Sequence, residues 1–348
     1  MKNSDQRRAA AWLTVAFLSL GVLTSCGPDD FGDDFGQLEG NITVVGSSTV
    51  FPLSTAVTAD FEKKFPGVKV PVSVTGTGGG FQRFTNGEAD VSNASRPIKL
   101  DEVAACKTNG IEFVELAVAY DGLTIVVNPQ NTWATSLTVE QLNKIYIGSG
   151  AAKTWQDVNP EWPAEQINAF AAGRASGTFD YFMEVVAKKG EDIRPDASLS
   201  EDDNVLVRGV VGDKGAIAFF GASYYFANQD KLKAVPIVNP ETGEAVLPSA
   251  DTIENGEYAP FSRPLFIYVN TKSLRRPEVR EYVGFFLDHA ADAARKVSYV
   301  ALPGEIYERV RAHATKPLTG THFYTSEGQK RHGSLKEIYQ EENLVGSS

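Results

Sequence analysis

Along the chain, short runs rich in β-branched and aromatic residues alternate with segments whose apolar residues recur every three or four positions. The runs at 41–45, 68–74, 123–127, 167–171, 216–220 and 265–269 are predicted as strands. The segments 53–65, 179–189 and 277–290 are predicted as helices, the first stopped by Pro66-Gly67 and the second by Gly190. In the first helix Leu53, Val57 and Phe61 recur at spacing four, and in the second Phe179, Phe182 and Val186 share one face. Such alternation predicts an α/β architecture with mainly parallel sheets. No internal repeat interrupts it.

The N-terminus follows a different pattern. Lys2, Arg7 and Arg8 precede an apolar run from Ala9 to Val22, followed by Leu23-Thr24-Ser25-Cys26. The run is shorter than the roughly 20 residues a spanning helix needs, and a charged start, an apolar middle and small residues before a cysteine are the organisation of a signal peptide with a bacterial lipobox. Residues 1–25 are therefore expected to be removed, with Cys26 becoming a lipidated N-terminus; an ordinary signal peptide with an incidental cysteine is the alternative reading. Residues 26–40, rich in Gly, Asp and Pro, read as a flexible tether.

Processing at this point leaves Cys106 as the remaining cysteine, so the exported domain is expected to lack an internal disulfide and to rest on its hydrophobic core. A chain of this length suffices for one large or two moderate α/β lobes, and no second apolar run is long enough to span a membrane. The formal charge is −11, and loss of residues 1–25, with three positive side chains and one negative, takes it to about −13. That balance argues against nucleic acid as a partner. A bound anion must then be held by local dipoles and hydrogen bonds against the global field.

Four segments offer such local groups. Gly46-Ser47-Ser48-Thr49-Val50-Phe51-Pro52 follows a strand and opens a helix, where unpaired amides and hydroxyls suit an anion; Ser and Thr are also the usual helix caps. Gly76-Thr77-Gly78-Gly79-Gly80-Phe81 follows the alternating Val68, Val70, Val72, Val74 run, and its glycines allow close backbone approach. It matches neither a P-loop nor the dinucleotide fingerprint, and a structural turn is its other reading. Gly173-Arg174-Ala175-Ser176-Gly177-Thr178-Phe179 opens a helix and adds in Arg174 a planar cationic fork suited to an oxyanion; a surface arginine beside a capped helix fits as well. In the segment from Ala89 to Pro97, Ser95 and Arg96 are candidate ligand contacts or members of a polar turn.

Taken together, the four segments resemble the PstS family of periplasmic phosphate-binding proteins of ABC transporters, in particular its SphX-like branch. The resemblance runs through Val-Gly-Ser-Ser-Thr-Val-Phe-Pro-Leu at 45–53, Gly-Thr-Gly-Gly-Gly-Phe at 76–81, Ser-Asn-Ala-Ser-Arg-Pro-Ile at 92–98, Tyr-Asp-Gly-Leu-Thr-Ile-Val-Val-Asn at 120–128, Ser-Gly-Thr-Phe-Asp-Tyr-Phe at 176–182 and Tyr-Val-Ala-Leu-Pro at 299–303. It implies a type II periplasmic-binding-protein fold, with two α/β lobes joined by two crossing strands and a ligand cleft between them. The crossings are expected near 123–127 and 264–270, with 41–122 and 271–348 in lobe 1 and 123–270 in lobe 2. Phosphate is then expected to meet Ser48, Thr49 and Val50, the backbone of Gly78, Gly79 and Gly80, and Ser95 and Arg96. Arg174, Ser176, Gly177 and Thr178 would reach it from the other lobe.

The resemblance also implies a monomer without cofactor, partnered by the permease subunits of an ABC importer and held to the membrane by its lipid, in the periplasm or at the cell surface. One departure stands out. Better-known members of the family place an aspartate in the segment matching Ser92 to Pro97, where it accepts the proton of hydrogenphosphate; here Ser95 and Arg96 stand there, so Asp121 or Asp180 is a candidate replacement, each also readable as a structural cap. Receptors for sulfate, arsenate or molybdate, or a sensing lipoprotein on the same scaffold, are alternatives. An enzyme such as a phosphatase fits less well, because His289, His313, His322 and His332 all lie near the C-terminus, without a Gly-x-Ser-x-Gly elbow or metal-ligand spacing.

Overall fold

The computed structural model describes residues 38–346, apart from 175 and 201. The signal peptide, Cys26 and most of the expected tether lie outside these residues. Strands run in the order Val72–Val74, Val44–Gly46, Val91–Ala94, Ser262–Asn270, Phe113–Val127, Ala216–Gly221, Asn168–Ala172 and Ser198–Ser200, with Lys233–Ala234 paired to the end of Phe113–Val127.

Phe113–Val127 organises the molecule. All 15 of its residues are buried, as expected of a strand covered on both faces. It pairs with Ser262–Asn270 from Phe113 to Gly122 and with Ala216–Gly221 from Leu123 to Val127, so it belongs to both halves of the sheet. These ladders, and that between Ser262–Asn270 and Val91–Ala94, are antiparallel. The expectation of mainly parallel sheets therefore holds only for the outer ladders, Val72–Val74 with Val44–Gly46 and Val91–Ala94 on one side, Ala216–Gly221 with Asn168–Ala172 and Ser198–Ser200 on the other. Helical crossovers return the chain in parallel there, whereas the strands that pass between the halves run in opposite directions.

Local chemistry accounts for the shifts in element boundaries. The run at 68–74 is divided at Pro71, which has no N–H for a ladder, into Val68–Lys69, paired with Gly40–Asn41, and Val72–Val74. The first helix, Phe51–Lys64, starts earlier than expected with Pro52 in its opening turn, where a missing N–H carries no penalty. Gly177–Val186 ends before Gly190, and Pro277–Lys296 runs beyond Ala290. Gly76–Thr85, Leu100–Thr108, Val139–Tyr146, Asp203–Gly212 and Gly304–Thr315 complete the longer helices.

The C-terminal segment packs on the first half of the sheet. The Gly320 amide donates to the Phe113 carbonyl, and Thr321 pairs with Val345. The fully buried Glu115 carboxylate accepts hydrogen bonds from the Tyr268 hydroxyl at 2.8 Å, the Thr321 hydroxyl at 2.7 Å and the His322 amide at 3.0 Å. Tyr339 donates to the Glu115 backbone carbonyl, and the His313, His322 and Tyr339 rings stack beside it. Among the described residues no helix is long and apolar enough to cross a membrane.

Candidate functional site

The strands Val44–Gly46, Val72–Val74 and Val91–Ala94 end side by side, and the segments after them face one cavity. Crevices outside the C-terminal ends of such strands are the usual ligand sites of α/β sheets. At Gly46 the backbone has φ +130°, and a Cβ would stand 2.2 Å from the Asn93 carbonyl oxygen, so no larger residue fits. Ser47 then folds back, its Oγ accepting the Thr49 amide at 3.1 Å and its carbonyl accepting the Phe51 amide. Helix Phe51–Lys64 starts from Val50 without any side-chain cap. The hydroxyls of Ser48 and Thr49 are thus free of the capping role. Ser48 Oγ donates to Asp180 Oδ2 at 2.6 Å, from the opposite half of the sheet, and Thr49 Oγ1 accepts Arg263 Nη2 at 3.1 Å.

The glycine run does not form a separate loop. It makes the opening turns of helix Gly76–Thr85, because Gly80 lets that helix lie against the strand: a Cβ there would be 2.6 Å from Gly46 Cα. A helix start leaves its first amides without intrahelical partners, and Gly76, Thr77 and Gly78 line the cavity. Thr77 Oγ1 accepts the Ser95 amide at 3.2 Å and meets Ser95 Oγ at 3.0 Å, which binds the second and fourth segments together.

The cavity has a volume of about 410 Å³. Ser47 to Thr49, Gly76 to Gly78, Ser95, Arg96 and Lys99 line it from the first half, Asp180 and Glu184 from the second. Arg96 is held by both Glu102 oxygens, at 2.9 and 2.7 Å, and lies over the Phe81 ring. Hydroxyls, helix-start amides and two cations thus face two carboxylates across a narrow gap, an arrangement able to hold an oxyanion that also donates a proton.

Of the residues expected at the ligand, Ser48, Thr49, Gly78, Ser95, Arg96 and Asp180 line this cavity. Val50 is fully buried beneath it, and Gly79 and Gly80 lie in the helix behind its rim. Ser176 takes the capping role, accepting the Thr178 amide at 3.2 Å, and Thr178 is buried. Gly177 lies against Thr49: a Cβ on it would be 2.7 Å from Thr49 Cα.

The structure does not bring Arg174 to the cavity. Its side chain, 57% exposed, pairs with Asp192 at 2.9 Å and lies over the Phe179 ring. Asp121 is fully buried and bound by Arg263 Nε at 3.3 Å; burial pushes its carboxyl up to about 6 against the pull of that guanidinium. Arg263 itself was missed by the motif reading. It opens strand Ser262–Asn270, where an arginine at the edge of an otherwise apolar strand was the signal that an internal partner awaited it.

A model of the PBP superfamily domain matches residues 35–290. Protein SphX of Synechococcus elongatus is 46% identical over 284 residues, which is 81% of this chain and 83% of that protein. The phosphate-binding protein PstS of Staphylococcus saprophyticus is 41% identical over 293 residues, 84% of this chain and 88% of that one. The chain belongs to the PstS family of the PBP superfamily. A crystal structure from Planctomyces limnophilus, described as that of a "possible phosphate binding protein", superposes with a TM-score of 0.78 at 47% identity, covering 81% of this chain and 99% of its own. An ABC-type phosphate transport receptor from Vibrio cholerae shares the fold, with a TM-score of 0.55 at 24% identity over 75% of this chain and all of its own. The architecture is the type II periplasmic-binding-protein fold, and the family is one of binding proteins.

Proposed function

We propose that this protein is an extracytoplasmic receptor that captures inorganic phosphate and hands it to the permease of an ABC importer. The observation that carries the reading is the cavity at which Ser48 and Asp180, from opposite halves of the sheet, meet at 2.6 Å among helix-start amides and hydroxyls. Groups on both sides of a cleft let a ligand bridge them and stabilise the closed state, which is how a receptor of this kind reports occupancy. Staphylococcal relatives in the family bear the name phosphate-binding protein PstS, in agreement.

Asp180 is the proton acceptor in this reading, since it lines the cavity while Asp121 is committed to Arg263. Hydrogenphosphate donates to a carboxylate; sulfate, fully ionised, is repelled by it. Phosphate has five heavy atoms, and at about −1.5 kcal/mol per atom for the best small ligands its binding reaches about −7.5 kcal/mol, a dissociation constant in the low micromolar range. The lobes divide as 41–122 with 271–348 and 123–270, the hinge strands being counted with the second, the protein acts as a monomer, and Cys26 carries the lipid that retains it at the membrane. It performs no catalysis.

Isothermal titration of phosphate against sulfate at two pH values tests the reading. Low-micromolar or tighter phosphate binding with sulfate at least tenfold weaker is expected; equal affinity sinks phosphate specificity, and binding of neither points to a scaffold role. Turnover of a chromogenic phosphomonoester by purified protein would make it an enzyme instead. Unchanged membrane retention of a Cys26→Ser variant would remove the anchor.

A further inference from the structure

Two carboxylates on the cavity wall are an odd feature of an anion receptor. Asp180 has a use in accepting a proton, but Glu184 and the buried Asp121 behind it add negative charge where a dianion must come. Arg263 answers both. The sheet register places it opposite Asp121, its Nε donates to Asp121 Oδ2 at 3.3 Å, its Nη1 to Glu184 Oε2 at 2.8 Å and its Nη2 to Thr49 Oγ1 at 3.1 Å. Its plane lies over the Tyr181 ring at 3.6 Å, and its side chain is only 12% exposed. One guanidinium therefore joins the strand that carries Asp121, the helix that carries Tyr181 and Glu184, and the loop that carries Thr49.

The Thr49 contact has a directional consequence. Guanidinium is a donor with no acceptor, so a hydroxyl that accepts from it must send its own proton elsewhere. Thr49 lines the anion cavity. We propose that Arg263 is the positioning residue of the anion site: it obliges the Thr49 hydroxyl to donate toward the ligand and offsets the charge of Asp121 and Glu184 beside it. The inference rests on the phosphate reading above. Lysine cannot replace it, since one ammonium does not span three acceptors set around a planar fork while stacking on a ring.

A double-mutant cycle read by phosphate titration tests this, with the phosphate-free melting midpoint confirming that each variant folds. Arg263→Lys is expected to weaken phosphate binding at least tenfold in the unaltered background, but by less than threefold when added to Thr49→Val. An Arg263→Lys affinity within threefold of the unaltered protein, or the same loss in both backgrounds, overturns the inference while leaving the phosphate reading intact. Failure of the unaltered protein to bind phosphate overturns both. Should Arg263→Lys not fold, Glu184→Gln carries the test. Released from Glu184, the guanidinium leaves one more unit of positive charge beside the cavity, so phosphate binds at least threefold tighter, more so at low salt; unchanged or weaker binding refutes the proposal.

Discussion

Gly177→Ala isolates the closed cleft from the rest of the fold. A Cβ at 177 would stand 2.7 Å from Thr49 Cα, 3.1 Å from the Tyr299 hydroxyl and 3.4 Å from Thr49 Cβ. Carbon atoms in ordinary contact sit about 3.5–4.0 Å apart, so the two segments must separate by about 1 Å. Overpacking of this size costs about 1–3 kcal/mol. At about 1.4 kcal/mol per factor of ten, phosphate affinity should fall by between about fivefold and about 150-fold. The Tyr299 hydroxyl cannot yield cheaply, since it donates to the Thr49 carbonyl at 2.6 Å. When the halves are apart the added methyl meets neither partner, and at a helix start alanine is at least as favourable as glycine. The phosphate-free melting midpoint should therefore stay the same or rise slightly. Titration calorimetry and a thermal melt on the same preparation decide the matter. An affinity within twofold of the unaltered protein, or a midpoint that falls in step with affinity, would refute the claim that 177 meets Thr49 only on closure.

Asp180→Asn should cost phosphate about tenfold to 150-fold, the worth of a hydrogen bond to a charged group, and leave sulfate binding unchanged or stronger; a constant phosphate-to-sulfate ratio would show that selectivity lies elsewhere. Glu115→Gln places an amide where three donors converge, so chemical denaturation should show a loss of about 3 kcal/mol and hydrogen exchange should rise along 320–346; a loss below about 1 kcal/mol would count against the network as the anchor of the C-terminal segment. His313 gives a pH signature: burial first, then the neighbouring His322, pulls its imidazole from 6.5 down to about 4. The unfolded chain takes the proton at the higher value and the folded chain only at the lower, so stability present above 6.5 is lost as pH falls toward 4 and no further below it. Within that window His313→Phe should flatten the stability slope by up to about 1.4 kcal/mol per pH unit, and an identical slope in the variant would exclude the imidazole as its source.

How much of this was legible in the residues depends on the range of the interactions involved. The helix starts at 46–52 and 173–179 were readable because a strand, a turn of small polar residues and a periodic apolar run are local patterns. The glycines at 76–80 do serve close approach, but the approach is to Gly46, some thirty positions earlier, so no local pattern places them inside a helix. Capping and binding could not be separated at Ser48 and Ser176 either. One hydroxyl reaches Asp180 and the other its own helix, a choice made by what stands opposite.

The arginines show the same division most sharply. By itself the sequence determined that an α/β chain carries several anion-suited helix starts, since hydrophobic periodicity and turn chemistry act between near neighbours. It also carried the family resemblance that the relatives bear out. Only the tertiary structure decided where each arginine turns. Arg174, in the motif, turns outward to Asp192, whereas Arg263, outside every motif, is held inward by Asp121, Tyr181, Glu184 and Thr49. A long side chain follows its partners, and those partners lie about 80 to more than 200 positions away in the chain. They become neighbours only when the strand opening at Ser262 pairs with Phe113–Val127 and brings the two halves of the sheet to one edge of the cavity.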